Sequence, residues 1–136
     1  MRGIRARLKA ALHDDEGSSP VEFVLVGTLL TLLTLGVLQF GLAVYVRNVV
    51  HDAAVEGAYH AALADTSLED GARRTRDIVS RTVGSSYAAD VAAIETTDLG
   101  HAAVEVRVVA TLPLVGLLGA PRTMEVTAHA PVESFD

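Results

Sequence analysis

From Phe23 to Val46 the chain runs for 24 residues without a charge, and 17 of them are hydrophobic. At about 1.5 Å per residue a helix of that length spans roughly 36 Å. That is enough to cross a hydrocarbon core of about 30 Å with modest tilt. A core helix of a soluble protein turns a polar face outward, and this stretch has none. The pattern therefore predicts one transmembrane helix. A secretory signal has a shorter apolar region, about 7–15 residues. The small residues flanking Leu42, Gly41 and Ala43, nevertheless leave cleavage near Ala43 as an alternative.

Beyond the span the apolar period stays helical. Val46, Val49, Val50, Ala53, Gly57, Ala61 and Ala64 recur at three- and four-residue spacings. Asp52, Glu56 and His60 share the opposite face, which reads as solvated; no metal is assigned to it. Asp65-Thr66-Ser67 interrupts the pattern. Ser67 with Asp70 three residues on predicts a new helix start, an Asp version of the capping box. Leu68, Ala72, Thr75, Ile78, Val79 and Val83 give its apolar stripe, which ends at Gly84. Arg73, Arg74 and Arg76 are offset by Glu69, Asp70 and Asp77 and read as a salt-laced surface.

From residue 91 the period changes to two. Val91–Thr97, His101–Thr111 and Thr123–Ala130 predict three strands, with a turn at Asp98-Leu99-Gly100 and a stop at Pro131. The apolar, Pro- and Gly-broken stretch 112–121 reads as a loop that serves as an interface, touches the membrane or tucks onto the sheet. The predicted fold class is α+β. A single N-terminal transmembrane helix extends into an external helix, then come a second helix and a small three-stranded antiparallel sheet.

Composition sharpens this. Half of the 136 residues are hydrophobic, but without the apolar stretch 51 of 112 are, an ordinary soluble proportion. Only Tyr59, Tyr87 and Phe135 are aromatic in residues 47–136, a thin core that predicts support from partner subunits. Arg2, Arg5, Arg7 and Lys9 precede the span, and only Arg47 follows within 20 residues. The positive-inside bias then keeps the N-terminus cytoplasmic and places residues 47–136 outside the cell membrane. Those 90 residues hold 7 basic and 13 acidic groups, accounting for the whole net charge of −6. An acidic exterior argues against nucleic acid. Absent cysteine excludes disulfides and thiolate chemistry.

The junction before the span has two readings. As a helix start, Ser19 is the N-cap, Pro20 the first helical residue and Glu22 the capping-box carboxylate. As a processing site, a basic leader, Gly17 and then Glu22 at the head of an apolar helix resemble a type IV prepilin junction. Cleavage would fall between Gly17 and Ser18 and make Glu22 the fifth mature residue.

Further residues narrow the resemblance. Val21-Glu22-Phe23 at the start, Phe40-Gly41 near the far end, Tyr45 and Arg47 at the outer edge and Glu56-Gly57-Ala58 beyond it resemble the TadE-like family of the Flp/Tad pilus apparatus. The likeness is strong over about residues 17–64. Pro20 and the acidic residues 14–16 depart from a prepilin recognition segment.

The resemblance implies a pilin-like minor pilin, pseudopilin or membrane-anchored assembly component. Residues 1–17 would be a cytoplasmic leader, 18–46 the anchor and 47–136 the extracytoplasmic domain. It implies a prepilin peptidase, other Tad/Flp pilins, a secretion ATPase and an inner-membrane platform as partners in a hetero-oligomeric assembly. Glu22 would set subunit register by pairing with a neighbour's N-terminal ammonium. Phe23, Phe40, Gly41, Glu56 and Gly57 carry the family motif.

No nucleophile elbow, HExxH, P-loop or dinucleotide fingerprint is present, and the five histidines share no ligand spacing. The chain reads as no enzyme, with no cofactor. Two other readings stand beside the pilus one: a single-pass protein with an external binding or sensing module, and a secreted protein cleaved near Ala43.

Overall fold

The computed structural model describes Gly3 and residues 18–112 and 123–133, and divides the chain into two units, 1–38 and 39–136. Helix α1 spans Ser18–Ala62 and enters both. In the first unit every described residue of α1 is exposed, Phe23 at 78% among them. Among the described residues α1 is the one helix long and apolar enough to cross a membrane, and none of its apolar window is buried in protein.

The second unit is a helix pair against a sheet. Residues 46, 50, 53, 54, 57, 58, 61 and 62 of α1 are buried, the i, i+3, i+4 stripe that the spacing predicts. Two positions differ: Val49 is only half-buried, and Ala64 is exposed because the helix stops at Ala62. Thr66 causes that stop. Its hydroxyl donates to Leu63 O at 3.1 Å and also to His60 O, satisfying carbonyls that a longer helix would have used.

Helix α2 spans Leu68–Thr82. Its capping box is complete: Asp70 N donates to Ser67 Oγ at 3.1 Å and Ser67 N to Asp70 Oδ2 at 3.1 Å. At the far end Gly84, with φ of 118°, takes the positive-φ position, and its N–H donates to Val79 O. A 3₁₀ turn at Ser85–Ala88, which the periodicity did not signal, leads into the sheet.

Strands β1 (Asp90–Thr96), β2 (Ala103–Thr111) and β3 (Thr123–Pro131) form an antiparallel sheet in sequence order. Register places Val91 opposite Val108, and Val106 between Ala93 and Ala128. Val104, Val106, Val108, Met124, Val126, Ala128 and Ala130 form the inner face and join the helices in one core. The fold is α+β, as the change of period predicts. The loop expected over 112–121 falls outside the described residues beyond Leu112.

Candidate functional site

The residues singled out by sequence lie along α1. Gly17, one side of the expected cleavage, lies outside the described residues, and Ser18 on the other side is the first residue of α1. Ser18 and Ser19 are both helical, so Ser19 is not the N-cap. Pro20 sits in the first turn, where its missing N–H is one of those a helix start leaves unpaired. Glu22 and Phe23 follow, both exposed, and among the described residues nothing pairs with the Glu22 carboxylate.

Phe40 is 71% exposed, and nothing stands within 4 Å of a Cβ built on Gly41. The hydroxyls of Thr28, Thr31 and Thr34 donate to Val24 O, Gly27 O and Leu30 O at 2.7–2.8 Å. Each threonine is thereby satisfied by its own helix, so the stretch 23–37 presents an apolar surface. With no core of its own to bury it, such a surface belongs against lipid or against other helices.

Glu56 and Gly57 have contacts within the second unit. Glu56 Oε1 accepts from Arg74 Nε at 3.0 Å, tying α1 to α2. Gly57 lies where the two helices cross: a Cβ there would stand 2.7 Å from Gly71 O and collide with the Thr75 hydroxyl. Thr75 is fully buried, and its Oγ1 donates to Ala53 O at 3.1 Å and Gly71 O at 3.2 Å. The site residues thus fall into two groups. Glu22, Phe23, Phe40 and Gly41 are exposed, whereas Glu56 and Gly57 join α1 to α2.

Arg73, Arg74 and Arg76 pair with Asp70, Glu56 and Glu69, the salt-laced surface expected of them. Asp52 and His60 do not converge with Glu56: among the described residues no three His, Asp or Glu side chains are placed to hold a metal. A shallow groove of about 340 Å³ runs past Tyr59, His60, Leu63 and Glu133 beside the Glu56–Arg74 pair.

The comparison with known proteins falls on α1. Residues 17–58 match the TadE-like protein family. The matched segment begins at Gly17 and contains Ser18, Glu22, Phe23, Phe40, Gly41, Glu56 and Gly57, together with Val21, Tyr45, Arg47 and Ala58, on which the resemblance also rests. It ends at Ala58, four residues before α1 does, and α2 and the sheet lie beyond it. No curated protein and no solved structure matches the chain.

Sequence reasoning missed Gly71 and the role of Thr75 as a hydrogen-bond donor between helices. The signal was present as Gly71 and Thr75 four apart on α2, facing Ala53, Gly57 and Ala61 at the same spacing on α1. It also missed Glu105, on the outer sheet face yet 8% exposed, with His129 Nε2 at 3.1 Å and Arg107 Nη2 at 3.2 Å.

Proposed function

We propose that this protein is a membrane-anchored component of a Flp/Tad pilus apparatus, a TadE-like minor pilin or pseudopilin that acts by helix packing. The observation that carries the reading is α1 itself. An uncovered apolar helix with a carboxylate at its head coincides with a TadE-like match starting at Gly17. In this reading residues 1–17 are a cytoplasmic leader, the span from Ser18 to Val46 anchors the chain, and residues 47–136 lie outside the membrane.

Prepilin peptidase would cut between Gly17 and Ser18. Glu22 would then pair with the N-terminal ammonium of a neighbouring subunit, since a carboxylate on an apolar helix is costly until paired. A subunit one turn out of register would leave both charges stranded, so the pair would select register. Other pilins, the secretion ATPase and the inner-membrane platform would be the partners. A cut near Ala43 is disfavoured by the helix: it would fall inside α1, three residues before Val46, the first buried residue of the core.

Mass spectrometry of the mature N-terminus in cells with active prepilin peptidase tests the reading. A chain starting at Ser18 is expected. An intact N-terminus would remove the processing step, and a chain starting at Val44 would replace the anchor with a secretion signal. Glu22→Ala is expected to insert normally and to lower pilus output; unchanged output would sink the pairing mechanism.

A further inference from the structure

The two edges of the sheet are finished differently. Val132 N donates to Ala102 O at 3.1 Å, which fixes the parity of the β2–β3 ladder. With the observed register, Met124, Val126, Ala128 and Ala130 bond inward to β2, and the backbones of Thr123, Glu125, Thr127 and His129 point away from the sheet. On the β1 side the same parity turns Val91, Ala93 and Glu95 outward, and Arg76 Nη2 donates to Val91 O at 3.1 Å while Nη1 holds Glu69 at 2.9 Å, the one bond to that edge among the described residues. Helix α2 packs along that edge. Among the described residues no side chain or backbone group bonds the outward backbone of β3.

An open edge strand is normally blunted by a bulge, a proline, a lysine or brevity, because it templates another strand. β3 is nine residues long and regular, has no lysine, and its one proline is Pro131 at the end. We infer that β3 pairs antiparallel with β3 of a second copy of this chain, in a register centred on Thr127. This goes beyond the pilus reading and does not depend on it.

The register follows from charge. Centring on Thr127 sets the outward-bonding residues of the two strands opposite each other, Thr127 against its counterpart and Glu125 against the partner's His129. Glu125 already holds Arg107 Nε at 3.3 Å, and His129 already holds Glu105. The paired face therefore alternates carboxylates with Arg107 and His129, and no two carboxylates stand directly opposite. Shifting the centre by two residues to Glu125 opposes Glu125 to its own counterpart, which is unfavourable. The pairing also closes. A two-fold contact consumes both β3 edges and leaves outermost only the shorter β1 edges, where Arg76 caps Val91 O.

The chain has no cysteine, so single substitutions report proximity cleanly. Directly opposed residues of a hydrogen-bonded antiparallel pair have Cα atoms about 5.5 Å apart, inside the roughly 4.4–6.8 Å that a disulfide spans. In full-length protein oxidised in its native membrane, Thr127→Cys is expected to give a disulfide-linked dimer of twice the chain mass. Ala92→Cys, in the same cross-sheet row but on β1, is expected to stay monomeric.

Glu125→Cys and His129→Cys are each expected to stay monomeric alone and to cross-link when co-expressed. Adding Thr127→Pro to both removes an outward N–H, leaves the β2–β3 ladder intact and is expected to abolish that cross-link. Cross-linking of Thr127→Cys no greater than that of Ala92→Cys overturns the inference. So does an adduct to a different protein, or persistence of the 125–129 link in the Thr127→Pro background.

Discussion

Gly57 and Gly71 meet backbone to backbone where α1 crosses α2. A Cβ on Gly57 would lie 2.7 Å from Gly71 O, and one on Gly71 would lie 2.5 Å from Gly57 O and overlap the Ala61 methyl. Neither glycine has an unusual φ, so what the crossing requires is the missing side chain. Because main-chain atoms are on both sides, no rotamer change can make room.

Gly57→Ala is expected to destabilise the domain by about 1–3 kcal/mol, the usual cost of overpacking. At roughly 4–8 °C per kcal/mol for a domain of this size, thermal unfolding of the full chain in detergent micelles resolves it. Adding Thr75→Ala to that variant recovers only part of the loss, since Gly71 O remains. Gly36→Ala, with nothing within 4 Å, is expected to leave the transition where it is. An unchanged Gly57→Ala transition would contradict the close crossing.

Thr75→Val keeps the shape and deletes the hydroxyl that donates to Ala53 O. The two carbonyls it leaves keep their places in helical ladders, so the expected cost is that of one net hydrogen bond, about 1 kcal/mol. Urea unfolding reads it. A cost well above that of Gly57→Ala would mean that the hydroxyl, not the small residues, holds the helices together.

Asp70 has its carboxyl held below the usual carboxylate range, first by the Ser67 hydroxyl, then by the Ser67 backbone N–H and Arg73. A depressed folded pKa means that the charged form favours the fold. This contribution is fully present above the ordinary aspartate pKa and is lost as pH falls through the lower folded value. Unfolding followed from pH 5 downward is expected to show a smaller stability loss for Asp70→Asn than for the unsubstituted chain. Ser67→Ala removes the cap itself and is expected to cost about 1 kcal/mol at neutral pH.

Glu105 makes a third kind of demand on the domain. His129→Ala or Arg107→Ala alone is expected to cost about 0.2–1 kcal/mol, as for partly exposed pairs. Removing both leaves a nearly buried carboxylate with neither side-chain partner, and the double variant is expected to exceed the sum of the singles. A double-mutant cycle in urea measures that excess, and strict additivity would show that solvent reaches Glu105 after all.

The elements were largely legible because their periods are clean. Three-and-four spacing along α1 and α2 and alternation in β2 and β3 set which face is buried, and Ser67 with Asp70 marked a helix start to the residue. What stayed hidden depends on residues far apart in the chain. Gly71 is informative only once Gly57 is known to face it. Glu105 follows the polar half of the β2 alternation, and its burial arises from His129, 24 residues later. Ser19 was misread because serine before proline suits a cap, while α1 already includes Ser18. On the candidate site, the residues that sequence singled out all fall within the matched segment 17–58. Sequence could not separate Glu22 and Phe23, which make no contact here, from Glu56 and Gly57, which hold the helix pair.

Among the described residues no fully buried side chain is larger than a methionine, and 11 of the 20 buried apolar residues are alanines. Burying alanine sacrifices no rotamer freedom, but it also removes little area from water. Such a domain is held less by the quantity of grease it hides than by the small entropy it surrenders in hiding it. Its margin lies in the distance between backbones, where each added methylene at the helix crossing pushes main chains apart.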